Sequence, residues 1–183
     1  IEVAQQIRAA LLQGEIRNAV NMPSVDAKTL AQLSPYAALG EKLGVFLSQV
    51  VTKRSSALNV NFQGKINELN TKPVSRAVLL GFLRQAGAEE VNIVNAPGFA
   101  QHLGLKVSES SESVSPDFAE LIELTATGEG GWASVAGTFF GSTPRIVKIN
   151  GRRVEAKPEG TLLLLENTDQ PGMIGAYGTI LGK

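Results

Sequence analysis

The chain has 183 residues, 43% of them hydrophobic, enough at about 100–200 residues per domain for one full domain and part of another. Its 17 Lys+Arg balance 17 Asp+Glu, which argues against nucleic acid as a partner, since nucleic-acid binders usually carry a net basic surface. With Cys 0 and a single histidine, His102, the chain cannot form disulfides, cysteine-bound zinc, cysteine-bound iron–sulfur clusters or a multi-histidine metal site. No apolar run approaches the ~20 residues of a membrane span.

In chain order, Val3, Ala4, Ile7, Leu11 and Leu12 fall on one side of an amphipathic helix over 1–13, which Gly14 stops. Residues 14–33 read as a connector and a short helix, extended around 18–23 because the residue before Pro23 avoids the helical region. A long helix is expected to open at Ser34-Pro35, with Tyr36, Leu39, Leu43, Phe46, Leu47 and Val50 on one apolar face. Leu58, Val60 and Phe62 alternate with polar residues, as in a half-buried strand. Pro73 starts the next helix and Gly87 ends it. Its stretch 77–83 is apolar all round and therefore deeply buried. A turn at 95–98 leads into a short helix near 99–103.

The second half switches to a period of two, with strands expected near 105–110, 118–126, 131–140, 144–149, 152–156 and 161–166. Residues 128–131 form a flexible hairpin turn. Asn150-Gly151 forms a tighter one of type I′, because both residues tolerate positive φ. Helices followed by consecutive strands predict an α+β fold, with helices packed on a mainly antiparallel sheet.

The Asn150-Gly151 hairpin carries the densest charge: Arg145, Lys148, Arg152, Arg153 and Lys157 against Glu155. A two-residue turn pairs Ile149 with Arg152, Lys148 with Arg153 and Val147 with Val154. Alternation then puts Arg145 and Arg152 on one face and Lys148 and Arg153 on the other. Like charges directly opposite are unfavourable in a sheet, so the Lys148–Arg153 pair calls for a bound anion or an acidic neighbour such as Glu112, Glu120 or Glu123. The acids at 109, 112, 117, 120, 123 and 129 read as a solvated or salt-bridged strand face rather than an acid/base pair across a cleft. His102 has no Ser or Asp at motif spacing. Gly128-x-Gly130 lacks the third glycine and following helix of a dinucleotide loop. No self-sufficient active site emerges.

The last stretch reads as a strand over 162–166, then a turn and a glycine-spaced helix, with Gly172, Gly175 and Gly178 near one another on its surface. Pro171 can open that helix and leave Asp169 near its amide end. Asn167 and Asp169 either hold a small zwitterion or cap the turn. Both ends look cut from a longer chain.

The pattern Asn167-x-Asp169-x-Pro171-Gly172, with Gly175 and Gly178, resembles the opening of an ACT domain, a ferredoxin-like βαββαβ module that binds amino-acid effectors between subunits. The stretches 17–23, 91–97, 135–138 and 144–151 resemble the junction and the intervening, allosteric substrate-binding domain of long-form D-3-phosphoglycerate dehydrogenases. This resemblance implies a catalytic tail and linker over 1–22, an intervening domain over 23–157 and the start of an ACT domain over 158–183. It implies a regulatory part of an oligomeric (dimeric or tetrameric) cytoplasmic enzyme that uses NAD, held elsewhere, to oxidise D-3-phosphoglycerate at the entry to serine biosynthesis. A small anion or phosphorylated substrate would bind Arg145, Arg152, Arg153 and Lys157, and L-serine would bind Asn167 and Asp169. Iron–sulfur L-serine dehydratases share the two-module arrangement and remain the alternative, beside a non-catalytic dimerisation module.

Overall fold

The computed structural model describes residues 2–13, 27–85, 90–168 and 170–182. Helix α1 spans Glu2–Gln13. Helix α2 spans Ala27–Val50 and carries Pro35 in its interior, so it begins well before the expected Ser34-Pro35 start. The local signal of a capping serine and a proline is outweighed because Leu33, upstream of the proline, is buried in the same core as Leu39, Leu43 and Leu47.

Strand β1 (Ser55–Gly64) leads through a short 3-10 turn (Lys65–Glu68) into helix α3 (Lys72–Gln85) and helix α4 (Ala96–His102). Strand β2 (Lys106–Glu112) returns parallel to β1. Strands β3 (Glu120–Gly128), β4 (Gly131–Phe140), β5 (Thr143–Ile149) and β6 (Arg152–Ala156) then extend the sheet by antiparallel pairs, in the order β2-β1-β3-β4-β5-β6. The fold is therefore α+β with a mixed, mainly antiparallel sheet. Its one parallel pair needs the long helical crossover between β1 and β2.

One sheet face packs on α2 and α3. Leu58, Val60 and Phe62 of β1, Ile122, Leu124 and Ala126 of β3, Ala133 and Val135 of β4 and Ile146 of β5 form the core with the leucines of α2. Residues 77–83 of α3 are all buried, as their uniform apolarity predicts. The two helices touch backbone to backbone at their glycines. A Cβ on Gly44 would lie 2.2 Å from the Val78 carbonyl oxygen, and one on Gly81 would lie 2.1 Å from that of Glu41. Only glycine permits that approach. The opposite sheet face is polar over most of its area. It carries one small apolar cluster of Leu121, Ala136 and Val147, capped by Phe118.

Past β6 the chain departs from expectation. Residues 161–168 form no regular element and pair with no strand among the described residues, and the leucines at 162–165 are exposed. A strand needs a ladder partner as well as an apolar run, and this run pairs with none among the described residues. Helix α5 spans Met173–Leu181 with Gly172 at its N-cap, and none of its residues is buried. Gly172, Gly175 and Gly178 face open space. The junction at 18–23 and Asp169 lie outside the described residues.

Candidate functional site

The turn at Asn150-Gly151 forms as its residues dictate. Asn150 has φ 49° and Gly151 φ 75°, the two positive values of a type I′ turn. Asn150 also ties the hairpin to the sheet: its Oδ1 accepts the Ser134 N–H at 2.9 Å, and its own N–H donates to the Ser134 carbonyl at 2.9 Å. The pairs Ile149–Arg152 and Lys148–Arg153 form as expected.

Beyond them the register shifts. On β4, Ala136 pairs with Lys148 but Gly137 pairs with Ile146; on β6, Lys148 pairs with Arg153 but Ile146 with Ala156. A bulge at Val147 adds a residue to β5, and a second irregularity adds one to β6. The expected Val147–Val154 pair does not form. A one-residue shift reverses the faces of everything beyond it. Thr138 and Ala136 lie two apart on β4 and share a face, so their partners Arg145 and Lys148 share it too. Gly137, between them, faces Leu43 and the helices. The structure thus moves Arg145 onto the outer face with Lys148 and Arg153, and leaves Arg152 on the helix side opposite Ile149. The expected division, Arg145 with Arg152, is corrected.

On that outer face the like-charged pair has an acidic neighbour, and it is Asp117. The Arg153 guanidinium donates to Asp117 Oδ1 at 2.6 Å, and Lys148 Nζ lies 3.6 Å from Oδ2. Asp117 sits in the loop 113–119 beside Phe118, whose ring stacks on Phe140 at 6.5 Å while packing on the Leu121–Ala136–Val147 cluster. The apolar contact lays the loop across the sheet and delivers the carboxylate to the two cations. Arg145, whose side chain is only 17% exposed, pairs with Glu155 at 3.5 Å. Three cations thus face two carboxylates, leaving one net positive charge.

The remaining site residues are more scattered. Arg152 pairs with Glu166 at 3.6 Å, both ends largely exposed. Lys157 is exposed and has no ion-pair partner among the described residues. Asn167 donates its side-chain amide to the neighbouring Thr168 carbonyl, and Asp169 lies outside the described residues. None of the acids proposed as neighbours pairs with these cations among the described residues. Glu112 accepts from Asn61, Glu120 accepts from the Tyr36 hydroxyl, and Glu123 stands across from Asn61. Burial, then the Glu120 hydrogen bond and charge, hold the Tyr36 phenol well above its ordinary value.

Sequence reasoning missed Asp117 as the partner of Lys148 and Arg153. Its neighbour Phe118, an aromatic beside an acid in a polar stretch, is the signal that could have found it. Gly128 and Gly130 lie at the β3–β4 turn, not between a strand and a helix, so this stretch does not form a dinucleotide-binding loop. A groove of about 700 Å³ separates α2 from residues 158–164, and the Lys42–Glu159 ion pair spans it at 3.8 Å. No helix is long and apolar enough to cross a membrane among the described residues.

A family model described as the D-3-phosphoglycerate dehydrogenase intervening domain matches residues 32–150. Among curated proteins, the chain is 34% identical to D-3-phosphoglycerate dehydrogenase of Synechocystis sp., 33% identical to that of Methanocaldococcus jannaschii and 31% identical to that of Bacillus subtilis. These alignments cover 100%, 98% and 100% of this chain, but 33%, 34% and 36% of the relatives. The chain therefore spans about a third of the length of the curated relatives it matches.

Proposed function

Because the chain belongs to the D-3-phosphoglycerate dehydrogenase intervening-domain family, we propose that it is a regulatory, non-catalytic part of such an enzyme, and that its β5–β6 hairpin binds a small anion or phosphorylated substrate. The parent enzyme would oxidise D-3-phosphoglycerate with NAD, bound outside this stretch. The observation that carries the anion reading is the gathering of Arg145, Lys148 and Arg153 on one sheet face, where two carboxylates leave a positive charge uncompensated.

Each cation has a distinct part. Arg153 is 75% exposed, so its planar fork can turn from Asp117 to an incoming phosphate or carboxylate. Arg145 and Lys148 are better shielded and supply fixed charge beneath it. Among the described residues Lys157 has no carboxylate to give up. Arg152, held toward Glu166 on the other side, contributes to the ribbon's field rather than to the same contact. Asp117 is a resident surrogate: it occupies the two cations until a stronger anion competes.

Calorimetry of the 183-residue chain with inorganic phosphate and with 3-phosphoglycerate tests this. Saturable binding is expected, weakened at least tenfold in the Arg145→Ala/Arg153→Ala double variant. Failure of the wild-type chain to bind either anion, or equal binding by the double variant, overturns the reading.

The serine reading rests on the resemblance of 167–178 to the start of an ACT module, with Asn167 and Asp169 as contacts. Titration with L-serine tests it separately: heat that disappears in Asn167→Ala supports it, and no heat refutes it.

A further inference from the structure

A second cavity, of about 690 Å³, lies at the other edge of the sheet, between the first turns of α3, helix α4 and the start of β2. Its polar lining is Lys72, Ser75, Arg76, Gln101, Lys106 and Glu109, three cations against one carboxylate. Lys72 and Arg76 stand one turn apart on α3. Lys106 joins them from β2. Among the described residues neither Lys72 nor Lys106 has an ion-pair partner.

Ser75 lines the same cavity and is only 6% exposed, and among the described residues its hydroxyl has no hydrogen-bond partner. A hydroxyl taken out of water and left unpaired is unfavourable, so it needs a reason. Leu79, Pro97, Ala100 and Leu105 supply an apolar wall beside it.

From this combination we infer that the α3–α4–β2 cavity is a binding site for a small phosphate monoester. The lysine ammonium groups would neutralise the dianion. The Ser75 hydroxyl, sheltered behind the long basic side chains, would donate to a phosphate oxygen once those side chains close on the ligand. The apolar wall would carry the ester's carbon skeleton. This site is independent of the hairpin reading, because β2 and β6 are opposite edges of the sheet.

Amide NMR of the uniformly ¹⁵N-labelled chain, titrated with inorganic phosphate and with glycerol 3-phosphate, distinguishes the two. Saturable shifts are expected at Ser75, Lys106 and Val107, with the ester binding more tightly than inorganic phosphate. They should weaken at least tenfold in Lys72→Ala/Lys106→Ala and about threefold in Ser75→Ala. They should persist unchanged in Arg145→Ala/Arg153→Ala. Spectral dispersion in the same experiment reports whether each variant is folded. Shifts confined to the hairpin, shifts that do not saturate, or shifts unaffected in the folded Lys72→Ala/Lys106→Ala variant overturn the inference.

Discussion

Replacing Asp117 with asparagine separates the structural and the functional parts of the hairpin cluster, because it keeps the shape and removes one charge. The carboxylate lies 2.6 Å from Arg153 and 3.6 Å from Lys148. At about 4 Å a unit pair is worth about 1 kcal/mol in water and several-fold more where solvent is displaced. Arg153 is 75% exposed, which places its pair at the weak end of the measured range, whereas Asp117 and Lys148 are 28% and 25% exposed. After that discount the loss comes to about 1–1.5 kcal/mol, which for a chain of this size lowers Tm by roughly 2–5 °C. Anion affinity moves the other way. The cluster's net charge rises from one to two, and an added unit charge attracts a contacting dianion by about 2 kcal/mol in water, halved by screening at physiological salt. Phosphate should therefore bind about fivefold tighter to Asp117→Asn. Paired scanning calorimetry and titration calorimetry measure both effects on one sample. Equal or weaker phosphate binding by the folded variant would refute the view that Asp117 occupies the anion's place.

Three further outcomes follow from the packing. Gly44→Ala or Gly81→Ala forces a Cβ to within 2.2 Å of a backbone oxygen, which flexible side chains cannot relieve, so urea denaturation should show a loss of about 3 kcal/mol or more. Asn150→Ala removes the Ser134 N–H acceptor and leaves alanine at φ 49°; a loss of about 1–3 kcal/mol in the same assay, with weakened phosphate binding, is expected. The folded-state pKa of Tyr36 is raised, so the folded chain keeps that proton after the unfolded chain releases it. Its contribution is complete below about pH 10 and lost as pH rises beyond it. Denaturation midpoints should therefore fall more steeply above pH 10 in wild type than in Tyr36→Phe. Equal slopes would show that the phenol titrates normally.

Much of the fold was legible from local pattern. Alternation in 58–62 and in the later strands, the uniform apolarity of 77–83 and the Asn150-Gly151 turn each carry their structural consequence within a few residues. Backbone sterics and side-chain period decide them without reference to the rest of the chain. The α2 start was not legible, because a core contact by Leu33 outweighs a local capping signal. Nor was the fate of 161–168, since an apolar run becomes a strand only when it pairs in register with another strand, and this one does not among the described residues.

Composition and local spacing by themselves determined that the chain forms an α+β domain, that cations crowd one hairpin, and that no cysteine or multi-histidine chemistry is open to it. Which cations meet was decided only in three dimensions. The bulge at Val147 turns Arg145 to the face of Lys148 and Arg153, and Phe118 carries Asp117 onto them from a loop far away in the chain. Side-chain facing depends on a register summed along two strands, and a single extra residue inverts it. No window of sequence contains that sum.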